Sequence, residues 1–246
     1  MKSKLTGQVV LVTGGAVRLG RALVERLAAE GCAVVIHCHR SRKEADQLAA
    51  DLRERGTAAA VVQGNLTTQA ACERIIRTAR RAHGRLDILV NSAAVFNKQS
   101  LGAITAKNLL SEFWPNVFGP VLLTQAFAAA TRRGHVINML DRRIAGQDTS
   151  CIPYLLSKKA LAAFTEVAAL ALAPRIRVNA VAPGPILPPP GKGKRYLRDH
   201  AGRLPLGRAP GVDEVAEAVV ALVRNPSITG QILFVDGGQH LLGNGV

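Results

Sequence analysis

The sequence predicts an α/β fold, a doubly wound parallel sheet of about seven strands with helices on both faces. Three observations predict it. Short runs rich in Val, Ile and Leu recur along the chain, which is how strands buried on both faces of a parallel sheet read. Longer segments with helical spacing separate those runs. The first run feeds directly into a glycine-bearing turn that opens a helix, the start of a βαβ unit. No internal repeat or linker interrupts the alternation, so residues 1–246 read as a single domain.

Val9 to Val12 is the first strand, continuous and β-branched. Thr13-Gly14-Gly15-Ala16-Val17-Arg18-Leu19-Gly20 follows, and a helical pattern runs to Glu30, where Gly31 ends it. Ala33 to Cys38 makes the second strand. Strand, glycine turn, helix and strand form the dinucleotide-binding unit, in which N–H groups at the helix N-terminus hold a pyrophosphate. The alternation continues with a helix from Arg42 to Arg55, strand Ala59 to Gln63, helix Gln69 to Ala82 and strand Leu86 to Asn91. Thr105 to Arg132 is helical, with a kink or break expected at Pro115 and Gly119-Pro120. Then come strand His135 to Leu140, a helix bearing Tyr154 and Lys158, strand Ile176 to Val181, a Pro/Gly-rich loop from Pro183 to Gly193, helix Asp213 to Arg224 and strand Ile232 to Val235. The fold expected is therefore a Rossmann-type sheet.

Composition narrows the function classes. At 48% hydrophobic residues the chain can bury a substantial core. No window approaches the roughly 18 apolar residues of a membrane span, and the N-terminus lacks a long apolar segment, so a cytoplasmic protein is expected. Cys32, Cys38, Cys72 and Cys151 stand singly, which suits reduced thiols better than a disulfide frame or a zinc site, and no metal is expected. The formal charge of +15 permits an anionic partner. The basic residues are nevertheless spread over the helices, and aromatics at 4% are too few for stacking platforms, so no nucleic acid is expected.

Ligands of such sheets bind beyond the carboxyl ends of the strands. The Thr13 to Gly20 turn, the residues after Asn91, Asp141 and the loop after Pro183 each follow a strand end and should share one crevice. Tyr154 and Lys158, four residues apart, fall on one helical face. A phenol, an ammonium and the Asp141 carboxylate together suit proton transfer. At the end of the second strand, where an acid would bind the ribose of NAD, the chain has His37-Cys38-His39-Arg40-Ser41. His39, Arg40 and Ser41 can hold a 2′-phosphate, which selects NADPH.

These residues, with N-S-A-A at Asn91 to Ala94, Asn116, Y-L-L-S-K, V-N-A-V-A-P-G at Val178 to Gly184 and V-D-G-G at Val235 to Gly238, resemble the short-chain dehydrogenase/reductase family over essentially the whole chain. The resemblance implies hydride transfer from a nicotinamide, with Tyr154 as proton donor, Lys158 gripping the ribose and lowering the tyrosine's pKa, and Asn116 supporting a water-linked relay. It implies cofactor contacts at Gly14, Arg18, Leu19, Gly20, His39, Arg40, Ser41, Asn65, Leu66, Asn91, Ser92, Ala93, Lys158, Pro183, Gly184 and Ile186, and a homotetramer built through the long helices.

Two departures narrow it. Arg18 stands where most members have a glycine, and Asp141 where most have a serine. Both resemble the pteridine reductase branch, with its dihydromonapterin and dihydrofolate reductase relatives, as do H-x-H-R-S and Phe96. The reaction implied is NADPH-dependent reduction of a pterin-type C=N bond, with Arg18, Phe96, Asp141 and Tyr154 meeting the substrate. A loop at about 184–212 is expected to close over it, and its basic end, with Arg142 and Arg143, to attract a folate glutamate tail. The alternatives are a carbonyl reductase of 3-oxoacyl thioesters, quinones or ketones, and a nucleotide-binding protein without catalysis.

Overall fold

The computed structural model describes residues 5–188, 191–200 and 202–242, without the side chains of Lys194, Arg198 and His200. Among these residues seven parallel strands form one sheet in the order β3-β2-β1-β4-β5-β6-β7. They are β1 Val9–Val12, β2 Ala33–Cys38, β3 Ala59–Gln63, β4 Ile88–Asn91, β5 Gly134–Met139, β6 Ile176–Pro183 and β7 Ile232–Val235. The order reverses between β1 and β4, which pair through Val10 with Ile88 and Val12 with Val90. At this switch point crossovers leave to opposite faces and open a crevice.

Helices cover both faces because both faces of each strand are apolar. Val10, Val12, Val34 and Ile36 pack with α1 (Arg18–Ala29), α2 (Arg42–Glu54) and α8 (Val212–Arg224). Leu11, Val35 and Leu89 pack on the other side with α3 (Gln69–His83), α5 (Gly119–Ala130) and α6 (Ile152–Leu172). Every residue of β1 is at most 3% exposed, so each valine or leucine contributes about 1.5–3 kcal/mol of burial. This rigid centre carries the strand ends that hold the site.

The expected long helix differs in detail. It divides into α4 (Ala106–Phe113), a π-helical turn (Trp114–Phe118) and α5, with no break in the chain's helical course. Pro115 lacks the N–H that would bond one turn back, and widening to the π spacing absorbs that loss. Gly119 allows the wider turn to sit close to Leu66, whose Cβ would lie 3.0 Å from an added Cβ. The loop expected at 184–212 also contains a short helix, α7 (Lys194–His200).

Candidate active site

The crevice begins at Thr13. Its Oγ1 accepts the N–H groups of Ser92 and Ala93 at 2.9 and 3.0 Å, and so ties the carboxyl end of β1 to that of β4. Gly14 takes φ +64° and lies so close to Ala93 that a Cβ would sit 3.0 Å from its Cα. A Cβ on Gly20 would sit 2.1 Å from the Gly14 carbonyl oxygen, so only glycine lets α1 start this near the turn. Arg18 is the one non-glycine residue with positive φ among those described, at +53°. The conformation costs of order 1 kcal/mol. It aims an exposed guanidinium across the crevice, where Nη2 donates to the Pro188 carbonyl at 2.9 Å.

A nicotinamide dinucleotide fits the residues that surround this turn. No side chain caps the N-terminus of α1 and no acid lies in its first turn, so its N–H groups and the positive end of its dipole face an anion. His39 and Arg40 are exposed and Ser41 half-buried at the end of β2, a donor set matching a 2′-phosphate. Leu19 is partly buried against the core, as is Ile186 beyond β6. Gly184 packs against Asp236, where a Cβ would come within 2.8 Å, directly after the buried Pro183.

Four of the residues expected at the cofactor also have partners within the fold. The Asn91 side chain is buried and donates to Asn138 Oδ1 at 2.9 Å. Ser92 and Ala93 have their N–H groups committed to Thr13. Leu66 is buried in the core beside α3, with the exposed Asn65 preceding it.

The residues expected to react lie just beyond β5, on α6 and in the π turn. Tyr154 and Lys158, 7% and 3% exposed, lie on the first two turns of α6. Tyr154 donates its hydroxyl to Asp141 Oδ2 at 3.0 Å. Lys158 Nζ donates to the Met139 carbonyl at 2.8 Å and stands 5.8 Å from the Tyr154 ring centroid. Asn116, fully buried in the π turn, accepts the Val95 N–H at 3.0 Å and faces Val95 O, Glu112 Oε2 and Ser157 Oγ with its amide nitrogen. Phe96, 46% exposed, meets Tyr154 edge-on with ring centroids 4.7 Å apart.

Burial and charge act on both Tyr154 and Lys158. Burial foremost, then the Asp141 carboxylate, push Tyr154 well above the ordinary phenol range. Arg143 pulls the other way without reversing the shift, and the phenol holds its proton. Burial brings Lys158 down to about 8 against the opposing pull of Asp141 and Glu112, which leaves it mostly cationic at neutral pH.

Two residues that sequence reasoning gave no place in the reaction complete the site. Arg143 follows Asp141 by two positions and brackets it, with Nη1 at 3.1 and 3.3 Å from the carboxylate oxygens and Nε donating to Asp148 at 2.9 Å. Its guanidinium also lies 5.5 Å from the Phe96 ring centroid. Glu112, fully buried, accepts from Asn97 at 2.7 Å and Asn116 at 3.1 Å. Its spacing of four from Asn116 was the available signal. Of the basic mouth expected for a glutamate tail, Arg142 and Arg143 are turned to other uses, whereas Lys192 and Arg195 are exposed. Arg142 is 6% exposed and Arg143 is spent between two carboxylates. Pro189, Pro190 and the Lys194 side chain lie outside the described residues.

Among the described residues no His, Cys, Asp and Glu group suits a metal ion, and no helix is long and apolar enough to cross a membrane. A family profile described as enoyl-(acyl carrier protein) reductase matches residues 14–240. The chain superposes with a TM-score of 0.92 on an alternative dihydrofolate reductase, FolM, of Brucella canis complexed with NADP. The two are 38% identical over 97% of this chain and 96% of the other. Pteridine reductase 1 of Leishmania tarentolae is 32% identical, covering 98% of this chain and 99% of its own. The second candidate ketoacyl reductase of the granaticin polyketide synthase of Streptomyces violaceoruber is 36% identical, covering 95% and 96%.

Proposed function

The chain belongs to the short-chain dehydrogenase/reductase family and is an NADPH-dependent oxidoreductase; within that family we propose that it reduces a pterin-type C=N bond, taking a dihydropterin or dihydrofolate to its tetrahydro form. The observation that carries the reading is the 3.0 Å hydrogen bond from Tyr154 to Asp141. Carbonyl reduction needs a donor to a developing alkoxide, which a serine and a tyrosine can share. C=N reduction needs a proton delivered to nitrogen. A phenol held protonated beside a carboxylate suits that step.

Gly14, Gly20, the α1 N-terminus and His39 to Ser41 would hold the dinucleotide, and Lys158 would bind its ribose. When bound, the reduced nicotinamide supplies the hydride to carbon. Tyr154 gives its proton to the imine nitrogen, leaving CH–NH in place of C=N, and Asp141 orients the hydroxyl during transfer. Asn116, held by Glu112, would support a water-linked relay that returns a proton from solvent to Tyr154. Phe96 offers its exposed ring as a stacking surface for a flat heterocycle, worth about 0.5–1.5 kcal/mol beyond burial, and Arg143 fixes that ring. Arg18 meets the substrate from the opposite lip, and the 184–212 loop closes on it. A homotetramer acting in the cytoplasm is part of the reading. It is supported by Leu156, Val167 and Leu170 exposed along α6 and by four buried free thiols.

The test is NADPH oxidation measured with dihydromonapterin, dihydrobiopterin, dihydrofolate, an acetoacetyl thioester and a quinone. The reading expects turnover of at least one pterin. Turnover of the thioester or quinone alone would make the chain a carbonyl reductase, as the ketoacyl reductase relative suggests.

A further inference from the structure

We propose that His37 is a positioning residue for the cofactor, a single imidazole that bolts together the chain segments forming the dinucleotide site. The inference rests on NADPH binding and is independent of the pterin reading.

His37 lies on β2, 2% exposed. Its ring Nδ1 lies 3.3 Å from the Gly14 N–H and its backbone carbonyl accepts the Gly15 N–H at 3.0 Å. Two successive donors of the glycine turn are thus fixed by one residue. The other ring nitrogen, Nε2, lies 3.2 Å from the Gly64 carbonyl. A backbone N–H can only donate and a carbonyl can only accept, so Nδ1 is the bare nitrogen and Nε2 carries the proton. Gly64 in turn donates its N–H to Cys38 O at 3.0 Å and leads directly into Asn65 and Leu66. Two residues beyond His37, the same strand delivers His39, Arg40 and Ser41. The ring thus ties the turn to the β3 exit, and its own strand leads into the 2′-phosphate donors.

A histidine suits the place because it offers an acceptor and a donor on opposite sides of a rigid, uncharged plane. Burial lowers its pKa to about 4, so one tautomer persists at working pH. Gly64 is matched to it. A Cβ there would strike Ile75 at 2.7 Å, so the strand exit holds its carbonyl toward the ring. His135 provides the contrast. It is equally buried, but its ring bonds Arg177 and Asn179 on β6, away from the glycine turn.

The test compares His37→Phe, which keeps a ring and removes both bonds, with His37→Asn, which keeps an acceptor where Nδ1 stands. Dissociation constants for NADPH and NADH are read by cofactor fluorescence, with thermal melting as a control for folding. His37→Phe is expected to weaken both cofactors in parallel by about ten-fold, the scale of two lost hydrogen bonds, and His37→Asn to recover most of that loss. Arg40→Ala, by contrast, should weaken NADPH alone. A folded His37→Phe with unchanged affinities would overturn the proposal, as would a loss confined to NADPH. If His37→Phe does not fold, His37→Asn and His37→Gln decide. Higher affinity for the Asn variant supports the proposal, and equal affinities overturn it.

Discussion

Replacing Arg143 by methionine removes a charge that sits between Asp141 and Asp148 while keeping much of the volume. The Arg143 side chain is 27% exposed and its partners 16% and 19%, so the cluster lies between the surface and buried regimes. Removing one partner of a buried pair costs about 3–5 kcal/mol, and an exposed pair contributes about 0–1 kcal/mol. With a quarter of the side chain in water, a loss of about 2 kcal/mol is expected, which lowers the melting temperature of a chain this size by about 4–8 °C. The kinetic effect should be separate. Asp141 loses its bracket and Phe96 its cover, so kcat/KM for a dihydropterin falls by about ten-fold or more, the scale of a misplaced reacting group. The NADPH dissociation constant stays unchanged, because no cofactor segment touches Arg143. Thermal melting, steady-state kinetics and cofactor titration on one preparation check all three. Unaltered melting and kinetics would show that the bracket contributes nothing, and an equal loss of NADPH affinity would refute the assignment of Arg143 to the substrate side.

Tyr154→Phe should lower kcat by at least about a hundred-fold, the scale of general acid catalysis, and leave NADPH binding near normal. Lost binding instead would mean that the phenol holds the cofactor and not the proton. Stability should also depend on acid. Burial foremost lowers His37 to about 4 and His135 to about 3 from 6.5. Between those values the unfolded chain binds more protons than the folded one, so stability is fully present above pH 6.5 and is lost as the pH falls. His37 alone accounts for about 3 kcal/mol by pH 4. Urea midpoints at pH 7 and 4.5 should differ in that direction, and equal midpoints would contradict the buried neutral assignment.

The sheet could be read from the chain because strands buried on both faces must be apolar throughout, and Val9–Val12, Ala33–Cys38 and Ile232–Val235 have the predicted bounds. Ends were harder. Leu86 and Asp87 precede β4 in the structure, since the Asp87 side chain is used to accept the Val9 N–H at 2.9 Å. Pro115 announced a disturbed helix, but a proline says only that one bond is missing. The π turn that results depends on how Gly119 packs on Leu66. Tyr154 and Lys158 stood out from their spacing together with their place among the strand ends. The pairing of Tyr154 with Asp141 was expected from their strand-end placement, but its geometry was not, because it depends on the 3-10 turn Arg142–Ala145 and the path back to α6. The role of His37 was hidden for the same reason. A buried histidine looks alike in sequence whether it faces a core or two glycine backbones.

The central claim is that Asp141 makes this site a reducer of C=N bonds. The measurement that bears on it most directly is the ratio of kcat/KM for a dihydropterin to that for a simple ketone, in the wild type and in Asp141→Ser. The account predicts that the serine lowers the pterin value by about a hundred-fold, as for a lost proton-transfer partner, while the ketone value holds or rises. A ratio that stays constant, with both substrates falling together, would contradict it and make Asp141 a structural residue.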